Sequence, residues 1–521
     1  MRLLCTSILV SPVLVLFAST AFAQNSLAPI APHDDTHLDL ASLKVLHDRG
    51  TITDAEYDAA VRDLNDTTGA AIAGDAPTFV LGKFSTTVYG QIKGDFIYDS
   101  AQGFTDLAGN NLIARPPGSP LGPPPAPQSA YAATHPSGQF SIHDSRLGFY
   151  FRAPESTDHI RTSALLEMDL FGQIASNATE QQFYDSSVPR VRHAYFRVET
   201  PVVDFLVGQY WHLFGWQNVY HPSTVMAQGV AGELYSRDMQ LRISKRIESK
   251  PVTVEMAIAA LRPPARDSAI PQGEAGLRIA LNQWTGVMTN GSSGTALQPL
   301  SVAVTGNFRE ISLPELSTAP TGAVNKGMQS IAIDGFIPII PATKDHKDNA
   351  FGVHGEFVSG NGTADLYSSL TGGLTFPAVP NTSAGTAEVQ GATYPVQIDN
   401  GIVDFDKEGH LHAISWISYL FGLQYYLPFT NGRAFLVGNY SHMKSPNIAA
   451  YTQTAAANPQ ALSFTQSLAV IERTDWVDGD LFVDVTRGVR VGVECAHYWQ
   501  HYVDGVLAQD TRVQGAGIFI F

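Results

Sequence analysis

Charge is the first thing this chain lacks. Only 15% of its 521 residues are Asp, Glu, Lys or Arg, against about 25% in an ordinary soluble domain. Bases are scarcer than acids, 32 against 48, for a formal charge of −16. That balance excludes nucleic acid as a partner, because a polyanion needs a basic face. There are two cysteines, Cys5 and Cys495. Cys5 lies in a leader, so no internal disulfide is expected. Beyond the leader no apolar run approaches the roughly 18 residues that carry a helix across a bilayer. No G-x-S-x-G elbow and no phosphate-binding P-loop occurs. No cofactor, metal or catalytic residue is therefore expected.

What is present is apolar and glycine-rich. Hydrophobic residues make up 44%, aromatics 10%, and there are 45 glycines. This is too apolar and too weakly charged for disorder. The start reads as an export signal over 1–23. Met1-Arg2 is basic, 3–17 is largely apolar, and Ala21-Phe22-Ala23 fits the small-x-small cleavage rule. Residues 24–80 then carry ten acids and three bases. Leu38, Leu43 and Leu46 share a helical spacing, Gly50 is a stop, and Thr53 with Glu56 forms a capping-box pattern. A periplasmic helical hairpin over 24–66 and a flexible linker over 67–83 are expected.

From residue 84 the period becomes two. In VYGQIKGDFIYD, Val88, Ile92, Phe96 and Tyr98 alternate with Tyr89, Gln91, Lys93 and Asp95. SRLGFYFR, RTSALLEMDL, MQLRISKRI and PVTVEMAI repeat the pattern. Each has one greasy and one polar face over about ten residues, as in a strand with lipid on one side and a watery lumen on the other. A soluble sheet with one wet face is the alternative. Against it, charge is concentrated on the polar phase, and aromatics such as Trp211, Trp284, Tyr425 and Trp499 recur near segment ends.

The expected fold is all-β: a transmembrane antiparallel β-barrel of about 16 strands over 84–521, with a short N-terminal helical segment. The strands fall near 84–99, 139–152, 160–172, 190–200, 202–214, 237–247, 251–261, 274–284, 301–311, 329–340, 350–360, 411–427, 432–443, 473–487, 489–503 and 510–521. Connections alternate long and short, which puts long loops on one rim. Stretch 285–299 breaks that rule, being too long for a tight turn.

The runs DSRLGFYFRAP, SALLEMDLFG, PRVRHAYFRVE and FLVGQYWHLF resemble Gram-negative outer-membrane porins, closest to the DcaP-like porins. The resemblance covers about 84–247 and the aromatic end, GAGIFIF. It implies a homotrimeric, non-enzymatic diffusion channel in the outer membrane for small, mostly anionic solutes. It also implies contact with outer-membrane lipids and lipopolysaccharide, and recognition of Phe521 by the barrel-insertion machinery. A barrel with a hydrolase or a structural, adhesive role is the alternative.

If the greasy phase faces lipid, the lumen phase carries Lys93, Arg146, Arg152, Arg161, Arg190, Arg192, Arg242, Arg246 and Arg278. Guanidiniums keep their charge and bind carboxylates in a bidentate way. They could form an anion-selective ladder, or Arg146 and Arg152 could pair with Glu167 and Asp169 on the next strand and leave little net field. Asp478, Asp480 and Asp484 fall on one polar phase and could form an opposing acidic wall. Loop 212–236 corresponds to the segment that folds inward in porins. Trp211, Phe214, Trp216 and Tyr220 beside it could guide an organic solute, or serve as an interfacial belt or trimer contact.

Overall fold

In a computed structural model the chain closes into one antiparallel barrel. The structure describes residues 78–81, 84–101, 116, 130–154, 156, 158–172, 187–226, 229–264, 268–289, 295–315, 319–344, 346–368, 401–405, 410–451, 470–503 and 505–521. The expected signal, the helical hairpin and most of the linker lie outside these residues. The last of the linker residues, Thr78–Leu81, form a short strand paired with the start of the barrel.

Sixteen barrel strands follow. They are β1 (Phe84–Asp99), β2 in two pieces (Ser137–Ser141 and Arg146–Arg152), β3 (Arg161–Asp169), β4 (Arg190–Glu199) and β5 (Asp204–Trp211). Next come β6 (Arg237–Glu248), β7 (Val252–Leu261), β8 (Gln272–Thr289), β9 (Thr295–Pro314), β10 (Ala323–Ile340) and β11 (Phe351–Asn361). The last are β12 (Ser415–Tyr426), β13 (Ala434–Lys444), β14 (Ile471–Thr486), β15 (Val489–Tyr502) and β16 (Leu507–Ile520). Each pairs with its sequence neighbours, and β1 pairs with β16. A closed ring has no edge, so every ladder hydrogen bond finds a partner inside the membrane.

The seam is tight. Gly90 N donates to Phe521 O at 2.8 Å, and Phe521 N returns the bond to Gly90 O at 3.1 Å. A Cβ on Gly90 would stand 2.3 Å from Arg146 O. Only glycine lets the first strand, the second strand and the chain end meet there.

The period-two reading sets which way the side chains face. On β1, Ile92 is 60% exposed while its neighbour Lys93 is 0% exposed. Outward positions of other strands carry Leu241, Ile258, Ile279, Val304, Ile333, Phe421, Leu481 and Val493, all exposed on the isolated chain. Arginine in place of Val493 puts a charge on that outer wall, midway along β15 between Leu481 and Gly515. The expected loss is about 2–4 kcal/mol of stability in lipid. Urea unfolding in vesicles measures it, and an unchanged midpoint would mean that Val493 does not face lipid.

The longest connections gather on one rim, where 503–506 is a short exception, and the other rim carries connections of ten residues or fewer. Stretch 285–299 obeys the rule after all, because β8 runs on to Thr289 and β9 begins at Thr295. A register shift between Leu281 and Thr285 turns Val287 and Met288 inward, where both are buried. That shift hides the alternation from a period-two reading. Other bounds move by a few residues. Leu411–Ala413 leave the barrel and pair with Val403–Phe405, and Leu213 and Phe214 belong to the loop after β5.

Candidate functional site in the barrel lumen

Loop 212–236 leaves β5 and crosses the barrel. Carboxylates of the wall hold its backbone at several points. Glu274 of β8 accepts from Leu213 N (2.8 Å) and Phe214 N (3.1 Å), and its other oxygen meets His212 Nδ1 at 2.8 Å. Glu494 of β15 accepts from Val225 N (2.8 Å), Met226 N (2.9 Å) and the Thr224 hydroxyl. Glu356 of β11 accepts from Leu234 N at 3.0 Å. Lys93 Nζ donates to Val225 O at 2.6 Å. Neighbouring segment 362–368 joins in: Tyr235 N donates to Leu366 O, and Ser368 N to Glu233 O, both at 2.8 Å. Charge-assisted bonds to backbone N–H groups are the strong kind, so the loop is a fixed part of the lumen.

The loop aromatics pack with the wall. Trp216 and Tyr220 are buried with Ala257, Ala259, Met288, Ala303 and Phe336. Gly276 leaves the space for Trp216, whose ring would lie 2.7 Å from a Cβ there. Tyr220 donates to Ser301 Oγ at 2.8 Å. Phe214 is wholly buried in a dry cluster with Met226, Val230, Leu234, Tyr367, Trp416 and Trp476. Trp211 is buried among His193, His221 and Tyr235.

Most of the expected cations have acidic partners. Lys93 bonds Asp144 at 3.0 Å and Asp95 at 3.3 Å. Arg146 pairs with Asp144 (2.9 Å), Arg161 with Glu199 (3.1 Å) and Arg190 with Asp169 (2.6 Å). Arg192 pairs with Glu167 (2.7 Å) and Asp169 (3.2 Å). Arg246 bonds Glu248 (2.5 Å), and Arg278 bonds Glu255 (3.0 Å). Arg152 lies over the Tyr150 ring at 5.6 Å. Arg242 differs: it donates to Gln240 Oε1 (2.9 Å) and Trp211 O (2.5 Å) and stacks over Tyr210 at 5.5 Å. It has no carboxylate within ion-pair distance among the described residues.

One cation escaped the sequence reading. Arg237, the first residue of β6, lies over Trp211 at 4.8 Å and Tyr235 at 5.5 Å. Among the described residues it has no carboxylate partner, and its Nη1 is buried without an acceptor. Arg146 Nε, His193 Nδ1 and His221 Nε2 are likewise buried and unpartnered. His193 belongs to this group because of an irregularity in β4. Glu167 pairs with His193 and Met168 with Val191, so Arg192 is extra and both Arg192 and His193 are buried. A strict alternation would send one of them to lipid. Four guanidiniums here (Arg146, Arg190, Arg192, Arg237) meet three carboxylates (Asp144, Glu167, Asp169). Burial, with Arg192, Arg237 and Arg146 nearby, pushes the loop's His221 down to about 3, so its ring is neutral.

The acids of β14 stand across the lumen, since β14 is eight strands from β6 in the ring of sixteen. Asp478 accepts from Trp476 Nε1 (2.7 Å) and Asn439 Nδ2 (2.8 Å). Asp480 accepts from Val225 N at 3.2 Å. Asp484 is neutralised by Arg490 at 2.6 Å. Phase alone puts Glu274 in the lumen but gives no sign that it pins the loop, and Glu356 and Glu494 are not among the expected site residues. Nothing local marks a carboxylate whose partner lies scores of residues away.

A closed sixteen-strand barrel with a loop pinned across its lumen is the architecture of outer-membrane porins, and the chain has that fold. No family model matches it, and no curated protein sequence does. Among solved structures it is similar to the outer membrane channel DcaP of Acinetobacter baumannii: TM-score 0.57, 12% identity, covering 86% of this chain and 100% of that one. It also aligns with the trimer form of OmpT from Vibrio cholerae (TM-score 0.44, 10% identity, 84% and 99% covered). OprB of Pseudomonas putida aligns as well (TM-score 0.43, 8% identity, 84% and 94% covered).

Proposed function

We propose that this protein is a diffusion channel of the Gram-negative outer membrane that passes small organic anions. It has no catalytic role in this reading, and its assembly is the homotrimer that the family resemblance implies. The observation that carries the anion preference is Arg237. Its guanidinium is stacked on Trp211 and Tyr235 beside Arg192, with no carboxylate to neutralise it among the described residues. A low-dielectric wall focuses such a charge on a passing solute. The acids opposite are engaged: Glu494, Asp480 and Glu356 accept backbone N–H bonds from the loop.

Planar-bilayer recording under a salt gradient tests this reading. The expected result is stepwise conductance with a reversal potential on the anion side. A cation-selective pore would overturn the anion preference and leave the channel standing. Absence of conductance from folded protein would overturn both and favour a structural barrel.

A further inference from the structure

The end of the β8–β9 hairpin leaves the barrel wall. β7 pairs with β8 only as far as Leu281, and β10 pairs with β9 only from Ser301. Past the register shift, 285–289 and 295–299 form a ladder with each other alone among the described residues. The wall closes behind them. Ala342 N donates to Thr285 O and the Thr285 hydroxyl donates to Ala342 O, both at 2.8 Å. Trp284 Nε1 donates to Pro338 O at 2.7 Å. The chain at the end of β10 thus meets β8 directly, and β9 is shut out of the wall at this level. Gly286 makes room for the crossing, since a Cβ there would stand 2.5 Å from Pro338.

This two-stranded ribbon reaches into the lumen. Thr289, at the end of β8, exchanges two bonds with Gln424 of β12. Thr289 N donates to Gln424 Oε1 (3.0 Å), and Gln424 Nε2 donates to Thr289 O (2.8 Å). The Thr289 and Tyr426 hydroxyls meet at 3.0 Å. Arg490 of β15 donates to Thr295 Oγ1 at 3.1 Å. Those partners lie four and six strands away around the ring. Neighbouring strands are about 4.8 Å apart, so such contacts form only across the interior. Val287 shares a cluster with Tyr426, Phe435, Phe482 and Val225 of the constricting loop. Met288 shares another with Trp216 and Tyr220 of the same loop. The ribbon therefore underlies that loop from the opposite rim.

The two sides of the lumen differ toward this rim. Inward side chains of β13–β16, Phe435, Val437, Phe482 and Ile518, are all at most 4% exposed. Inward side chains of β3–β6 stay open: Arg161, Arg197 and Arg246 are 38%, 41% and 39% exposed. We propose that the ribbon is a second constriction, held across the β12–β16 side by Gln424, Tyr426 and Arg490, so that solutes leave the lumen along β2–β6. This rests on the channel reading and adds the route and the residues that set it. Gln424, Tyr426 and Arg490 are positioning residues, because they touch the ribbon and not the solute.

The test uses the full chain in detergent with Cys495→Ser, which removes the free cysteine of the described residues, and one new cysteine at a time. Ser163→Cys lies on β3 between Arg152 and Arg197, on the open side. Val437→Cys lies opposite Gln424, beneath the ribbon. A small anionic methanethiosulfonate is the probe, and intact mass counts its addition above the Cys495→Ser parent. One hydrogen bond contributes up to about a factor of ten to the closed form. Val437→Cys should therefore react at least roughly tenfold more slowly than Ser163→Cys. Adding Gln424→Ala and Tyr426→Phe removes the ribbon's bonds to β12 and should raise the Val437→Cys rate about tenfold, with unheated gel mobility unchanged. Equal rates at the two cysteines would overturn the proposal. So would a Val437→Cys rate that the paired substitution leaves unchanged. Labelling needs no current, so it reads the ribbon even where bilayers show no conductance, the result that overturns the channel itself.

Discussion

Alanine at Glu494 should loosen the constricting loop and raise single-channel conductance. One oxygen of Glu494 takes the N–H groups of Val225 and Met226 and the hydroxyl of Thr224. All four residues are buried. Removing the acceptor strands the Met226 amide and leaves the Val225 amide only its longer bond to Asp480 (3.2 Å), and each unsatisfied buried group costs about 1–3 kcal/mol. The loss of about 1–3 kcal/mol falls on one stretch of loop, while Glu274 and Glu356 still hold its two ends. The loop middle should then leave the wall with the barrel still closed. Conductance should rise and current noise should grow, while unheated gel mobility stays unchanged. Glu494→Gln keeps an acceptor oxygen at the same place and should fall between the two. Conductance identical to wild type in the alanine variant would show that the loop is held without this carboxylate.

Arg237→Ala should move the reversal potential toward cations more than any other single lumen substitution. The reason is compensation. Arg190 and Arg192 share Asp169, and Arg192 also holds Glu167, so removing either one breaks an ion pair and the wall rearranges around it. Arg237 has no carboxylate within ion-pair distance among the described residues, so its removal breaks no ion pair. Two unit charges 4 Å apart interact by about 4 kcal/mol at a surface-like dielectric of 20. A third of that is about 1.4 kcal/mol, or tenfold in partition. The formal charge of −16 does not predict the preference, because exposed charges are screened beyond about 8–10 Å. A variant with wild-type selectivity would show that ions pass elsewhere. Arg242→Ala with Arg246→Ala should have a smaller effect, since Arg246 is already matched by Glu248 and Glu255.

The strands and their facing were legible because two-sided strands leave a mark at every residue. Ile92 and Lys93 are adjacent in sequence and opposite in environment, and the letters alone say so. The irregularities were not legible. The register shift at Leu281/Thr285 and the extra residue at Arg192 are single-residue changes of phase. They look like noise in a period of two. Lumen cations can be named from phase, but their partners cannot: Glu167 and Asp169 serve Arg192 and Arg190, not Arg146 and Arg152. Asp144 serves Lys93 and Arg146 because β2 breaks between Ser141 and Arg146, and no pattern announces the break. Alternation gives no hint of Arg237, because it shares the phase of Met239 and Leu241, which face outward.

The pinned loop also orders events in time. Val225 and its acceptor Glu494 are 269 residues apart along the chain, and the wall that offers Glu494 is among the last to be made. Contacts of such separation form late, after the intervening chain has been brought into place. Until β14 and β15 arrive, the loop middle has no acceptor for its amides, and Phe214 and Trp476 have not met. A chain cut before β15 therefore loses two things at once: its closing seam and the anchor of its own constriction. Partial barrels of this protein should be sticky, proteolysed intermediates rather than smaller pores, and assembly should look all-or-none.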